Sequence, residues 1–151
     1  MVDICLGPLK ELSPEQYERF RENIHALAAA DNRLSLFEWT LQKVVLHVLD
    51  PHFGRKRKRK TNQRPAPEDV STVLSALAHA GSRDEHAVQS AFERGVEATG
   101  LPPLELQSWD RTIFDRLNHS LDALGRLPGK SKSKLIRGLA ETASADGTIT
   151  P

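Results

Sequence analysis

Three carboxylates stand out by type and spacing. Asp31 closes the run Ala28-Ala29-Ala30, Glu38 follows seven residues later, and Asp146 closes a second small-residue run, Ala143-Ser144-Ala145. The segments 28–35 and 143–150 align without gaps, each placing an Asp three residues before a single Leu or Ile and four before a Ser or Thr. Carboxylate oxygens at such helix ends could hold a hard cation such as Ca²⁺. Physics alone favours the plainer reading, in which Asp31 and Asp146 belong to helix-joining turns and Glu38 completes a capping box begun by Ser35. An EF-hand is excluded: with Glu38 at loop position 12, positions 1 and 3 fall on Leu27 and Ala29, and in the second copy on Thr142 and Ser144. A non-EF site would require the two turns to meet in space. The second copy also runs out at Pro151, before any residue equivalent to Glu38, so the motif reads as truncated.

Other chemistry is thin. Gly125-Arg126-Leu127-Pro128-Gly129-Lys130-Ser131 resembles a phosphate loop, but has three residues between its glycines where the motif needs four, and reads as an interhelical turn. Lys130, Lys132 and Lys134 then mark a solvated helix start. The 6 histidines form no H-E-x-x-H pair, and the 1 cysteine cannot complete a zinc site. His47 lies near an apolar face and reads as a packing residue, and Cys5, with no base beside it, as an inert thiol. No nucleophile-elbow, kinase or dinucleotide signature occurs, so catalysis by this chain alone is not expected.

The net charge of +1 conceals an uneven distribution. Residues 55–60 read Arg-Lys-Arg-Lys-Arg-Lys, leaving the remainder acidic. Such a run attracts phosphate or anionic lipid at about 1 kcal/mol per charge near a membrane surface. It lacks the interleaved aromatics that stack bases, so sequence-specific nucleic-acid recognition is not expected. A lone cysteine and the lack of a secretory signal or long apolar stretch point to a soluble chain in a reducing compartment.

The elements that must position these residues are helices. Leucine outnumbers valine and isoleucine together, and aromatics make up only 5%. Ser13-Pro14-Glu15-Gln16 opens a helix whose stripe is Tyr17, Phe20, Ile24, Leu27 and Ala28. From Ser35, a second carries Phe37, Leu41, Val44, Val45 and Val48 toward the first, ending at Asp50-Pro51. Residues 54–67, with the basic loop 55–66 inside them, show no apolar period and read as a mobile loop. A third helix uses Val70, Val73, Leu74 and Leu77. A fourth, capped by Ser82 and Glu85, uses Val88, Ala91, Phe92 and Val96 up to Gly100. A long fifth would carry Leu106, Trp109, Ile113, Leu117, Leu121 and Leu124 to Gly125. A sixth, Ser131 to Ala143, would bury Leu135, Ile136, Leu139 and Ala140. The expectation is a single all-α domain over 1–151, with about six helices in two related halves.

Leu9-Lys10-Glu11-Leu12-Ser13-Pro14-Glu15-Gln16-Tyr17, Leu36-Phe37-Glu38-Trp39, Leu49-Asp50-Pro51, Leu74-Ser75-Ala76-Leu77-Ala78 and Ala145-Asp146-Gly147-Thr148-Ile149-Thr150 carry a resemblance that covers nearly the whole chain. They resemble the TerB-like (tellurite-resistance) C-terminal region of bacterial membrane-bound zinc metallopeptidases of the HtpX and CAAX-prenyl-protease-like kind. The resemblance implies a TerB-like helical bundle on the cytoplasmic face of the inner membrane. It also implies attachment to a protease whose zinc and H-E-x-x-H lie outside this sequence. The chain itself would be a non-catalytic regulatory or partner-binding domain, docking on the protease, the membrane surface or a stress-response partner. The alternative is a divalent-metal-sensing module, since TerB-like domains are associated with acidic metal-binding patches; the matching positions are Asp31, Glu38 and Asp146. Asn32 and Arg33 depart from the family's usual glycine and neutral residue. The truncated second motif is expected to leave Leu139, Ile136 or Ile149 exposed and to favour self-association.

The metal-sensing alternative predicts that Ca²⁺ raises the melting temperature saturably through linkage, and that Asp31→Asn abolishes the rise. A melting temperature indifferent to Ca²⁺ makes the acidic turns helix caps.

Overall fold

The computed structural model describes residues 2–30, 36–55, 64–110 and 112–145, without the side chains of 2–5, 25 and 27–30. Among these residues it is all-helical, with seven α-helices and no strand. The chain divides into two compact units, residues 1–58 and 59–151.

The first unit holds α1 (Val2–Lys10), α2 (Pro14–Ala30) and α3 (Leu36–Leu49). Helix α2 begins where the capping box requires: the Gln16 N–H donates to Ser13 Oγ at 3.2 Å and the Ser13 N–H donates to Gln16 Oε1 at 2.8 Å. The core is Leu6, Tyr17 and Leu49, enclosed by Leu9, Leu12, Phe20, Val45 and Phe53. Tyr17 is its centre, stacked on Phe53 with ring centroids 4.0 Å apart.

The second unit holds α4 (Pro67–Gly81), α5 (Glu85–Thr99), α6 (Ile113–Leu124) and α7 (Gly129–Ala143). Helix α4 packs against each of the other three, and α5 lies along α7. Val70, Val73 and Leu74 of α4 and Val88, Ala91, Phe92 and Val96 of α5 are buried, as their spacing predicts. The cap of α5 lies two residues beyond the expected Ser82. Asp84 Oδ1 accepts from the Ala87 N–H at 2.8 Å, while Ser82 Oγ accepts from the Asp84 N–H.

Two expectations are corrected. The predicted long fifth helix is shorter, because residues 101–110 are not helical. Pro102 and Pro103 cannot donate, and the backbone of Glu105 and Gln107 bonds to side chains of α4 instead of to its own turns. In α7 the inner residues are Leu135, Gly138 and Thr142, while Ile136 is 63% exposed and Ala140 is also outside. The reason lies in the α5–α7 crossing. A Cβ on Gly95 would sit 1.9 Å from Thr142 Oγ1, and one on Gly138 would sit 2.5 Å from Thr99 Cγ2 and 2.9 Å from the Gly95 carbonyl oxygen. The helices meet backbone to backbone at these glycines, which turns Ile136 away.

Gly→Ala in a helix interior ordinarily gains about 0.5–1 kcal/mol, but overpacking costs about 1–3 kcal/mol. Overpacking wins where the obstacle is backbone or a short, buried β-branched side chain with little room to move, and both glycines meet the two together. Gly95→Ala and Gly138→Ala are therefore each expected to lower unfolding free energy by about 1–2 kcal/mol in urea denaturation. Gly129→Ala, with open space around its Cβ, serves as the neutral control.

Candidate functional site

The surface that stands out chemically is one face of α3, and a polar network at the end of that helix fixes it. Asp50 follows the last turn of α3, where a carboxylate meets the negative end of the helix dipole. Two side chains of α2 hold it there: the Tyr17 hydroxyl donates to Asp50 Oδ1 at 2.8 Å, and the Arg21 guanidinium forms an ion pair with the same oxygen at 3.4 Å. Next to them Arg55 forks onto the Glu18 carboxylate at 2.7 to 3.2 Å. That pairing holds Glu18 below the usual carboxylate range, with the hydrogen bonds from Arg55 the main cause. His52 Nε2 lies 2.9 Å from the Lys10 carbonyl oxygen, which only accepts, so this nitrogen carries the proton and ties the post-α3 turn to α1. Burial, then the hydrogen bond to Asp50, pushes the Tyr17 hydroxyl well above its ordinary range. It stays protonated at neutral pH.

Held in this way, α3 turns Leu46 and Leu49 inward and leaves an apolar row outside. Phe37 is 76% exposed, Leu41 42%, Val44 44% and Val48 37%. The sequence reading placed this row toward the first helix, and that expectation is corrected. Helix α3 is apolar on more than one side, and the side that meets Tyr17 is the one carrying Val45 and Leu49. His47, read as a packing residue, is exposed as well. The exposed row has spacings of four, three and four, the a/d seam of a coiled coil.

Of the three sequence-predicted carboxylates, one falls among the described residues. Glu38 lies exposed in the first turn of α3, whereas Asp31 and Asp146 lie outside the described residues. Among the described residues no group of three His, Cys, Asp or Glu side chains is arranged to hold a metal ion. Of the basic run, Arg55 is engaged with Glu18 and residues 56–60 lie outside the described residues, as does the Cys5 side chain. The Gly125–Ser131 stretch is the turn between α6 and α7, continuing into the first turn of α7.

A second polar constellation was missed in the sequence. Ser71, Ser75 and His79 recur every four residues on α4, beside the buried polar Thr72 and among apolar inward residues. They grip the non-helical segment before α6: Ser71 Oγ donates to the Glu105 carbonyl, the Gln107 N–H donates to Ser75 Oγ at 2.9 Å, and His79 Nε2 donates to the Gln107 carbonyl at 3.0 Å. Arg116 closes the clamp on Gln107 Oε1 and the Ser108 carbonyl. Apart from Arg116 Nε, which is buried without a hydrogen-bond partner, these contacts are made within the clamp, which marks it as a structural device. The sequence signal was the polar i, i+4, i+8 row running between the apolar positions of the helix.

No family model, curated protein or solved structure matches this chain.

Because ionising Tyr17 is opposed in the fold, its contribution to stability is whole below the ordinary tyrosine value of 10.0 and is lost as pH rises above it. The chain has 1 tyrosine, so its ultraviolet titration reports this group alone. We expect that titration to coincide with alkaline unfolding of the first unit. Tyr17→Phe should keep the stacking on Phe53, lose about 1 kcal/mol at neutral pH and lack this alkaline component.

Proposed function

We propose that this chain is a non-catalytic, partner-binding helical module of a membrane-bound zinc metallopeptidase, and that the α3 row receives a helix of the protein it serves. The binding part rests on one observation, the exposed Phe37, Leu41, Val44 and Val48 at coiled-coil spacing. The metallopeptidase part is supported by the sequence resemblance, and the cytoplasmic face of the bacterial inner membrane follows from the same likeness. No helix among the described residues is long and apolar enough to cross a membrane. In this reading, membrane attachment belongs to the protease.

Magnitudes favour a tethered partner. Fully burying an apolar side chain yields about 1.5–3 kcal/mol, and three of these four are already partly covered, so the row supplies roughly 4–6 kcal/mol. Association from free solution costs about 4–15 kcal/mol, which cancels or exceeds that gain. A partner in the same polypeptide or complex escapes most of the cost through its high effective concentration. The divalent-cation alternative at Asp31, Glu38 and Asp146 is decided by the calcium titration.

The test is site-specific photocrosslinking in bacteria, with the reactive residue at position 41 and a control at Glu93 on α5. The expected product joins position 41, and not position 93, to a helix of a membrane metallopeptidase, and is lost when Phe37→Glu and Val44→Glu are added. Crosslinks that survive those charges, or that form equally from both positions, contradict the proposal.

A further inference from the structure

The second unit contains a cleft of about 630 Å³, between the segment entering α4, the end of α5 and the start of α7. That is the size range of small-molecule sites. Its base is apolar: Val70 is 1% exposed and Leu135 9%. Thr99 also lies there, but its hydroxyl already donates to the Val96 carbonyl at 2.7 Å and accepts the Leu101 N–H at 3.2 Å, so it has little left to offer a ligand. Gly100, at φ 67°, turns the chain sharply out of α5 and sets Leu101 and Pro102 as a wall.

The rim is cationic. Arg64, Lys130 and Lys134 line the cleft, and among the described residues no carboxylate lines it and none of the three has an ion-pair partner. Lys130 and Lys134 are four apart on α7 and so share one side of it. The first turn of α7 contains no acidic residue and its N-cap makes no side-chain bond, so the positive end of the helix adds to the same potential. An apolar base beneath three unpaired cations is complementary to a molecule that is apolar at one end and anionic at the other.

We infer that this cleft binds a single-chain amphiphilic anion, an alkyl or acyl chain ending in a carboxylate or phosphate. The chain lies against Val70, Leu101 and Leu135, and the head lies between Arg64, Lys130 and Lys134. This is independent of the α3 surface. The head alone is held weakly, because exposed cations bind a hydrated anion poorly. A neutral amphiphile keeps the apolar contact but loses the charge pairing.

Isothermal titration of the whole chain tests this with dodecanoate, dodecyl phosphate, dodecyl maltoside and inorganic phosphate, all below micelle formation. One molecule of either amphiphilic anion should bind per chain, with the neutral maltoside weaker by about tenfold or more. Inorganic phosphate should neither bind nor compete in the same range. Lys130→Ala with Lys134→Ala changes only exposed side chains, so it should preserve the melting curve while weakening dodecanoate by about tenfold. Leu101→Glu should abolish binding by placing a carboxylate in the wall. Equal affinity for the neutral amphiphile, full displacement by inorganic phosphate, unchanged binding in either variant, binding only to anionic phosphatidylglycerol vesicles, or no binding at all would each overturn the inference.

Discussion

The second unit is organised by a steric constraint, the backbone contact of α5 and α7 at Gly95 and Gly138. Thr99 and Thr142 flank it, and both hydroxyls are satisfied within their own helices, by the carbonyls of Val96 and Gly138. Thr99 packs its methyl group on Gly138, and Thr142 its hydroxyl oxygen on Gly95. The crossing brings the end of α5 beside the start of α7, so it creates the cleft between them. It also decides which residues of α7 are inside, since a helix in backbone contact at Gly138 must also turn in Leu135 and Thr142 and turn out Ile136.

In the first unit one aromatic ring takes the corresponding part. Tyr17 fills the small core, stacks on Phe53, and spends its hydroxyl on the carboxylate that follows α3. A carboxylate at the C-terminal end of a helix is unfavourable by itself. The Tyr17 hydroxyl and the Arg21 guanidinium turn it into a fastening between α2 and α3. The rotation of α3 that results buries Leu46 and Leu49 and exposes the row from Phe37 to Val48. The binding surface is thus a consequence of how the core is satisfied.

Much of the fold was legible in the sequence because the signals were local. Ser13 and Gln16 announce a helix start, Gly100 a helix stop, and Val88, Ala91, Phe92 and Val96 a buried face. What was not legible depended on choices between competing partners. Leu106 and Trp109 continue the period of α6, yet the backbone between them bonds to Ser75 and His79, residues remote in sequence. Helix α3 offers two apolar sides, and only the contact with Tyr17 and Phe53 selects one. Ile136 and Leu135 are equivalent as hydrophobes until Gly95 and Gly138 fix the crossing. The cleft was invisible for the same reason: Arg64, Leu101 and Lys134 share no motif and become neighbours only when the helices pack. Of the predicted carboxylates, Glu38 is exposed on α3, and Asp31 and Asp146 lie outside the described residues.

The central claim is that α3 presents a free apolar seam, and methyl NMR with a soluble paramagnetic agent addresses it most directly. The account predicts strong relaxation enhancement for the methyl groups of Leu41, Val44 and Val48, and little for those of Leu46 and Leu49 on the opposite side of the same helix. Protection of Leu41 and Val44 to the level of Leu49 in the isolated chain would contradict it, because the seam would then already be occupied.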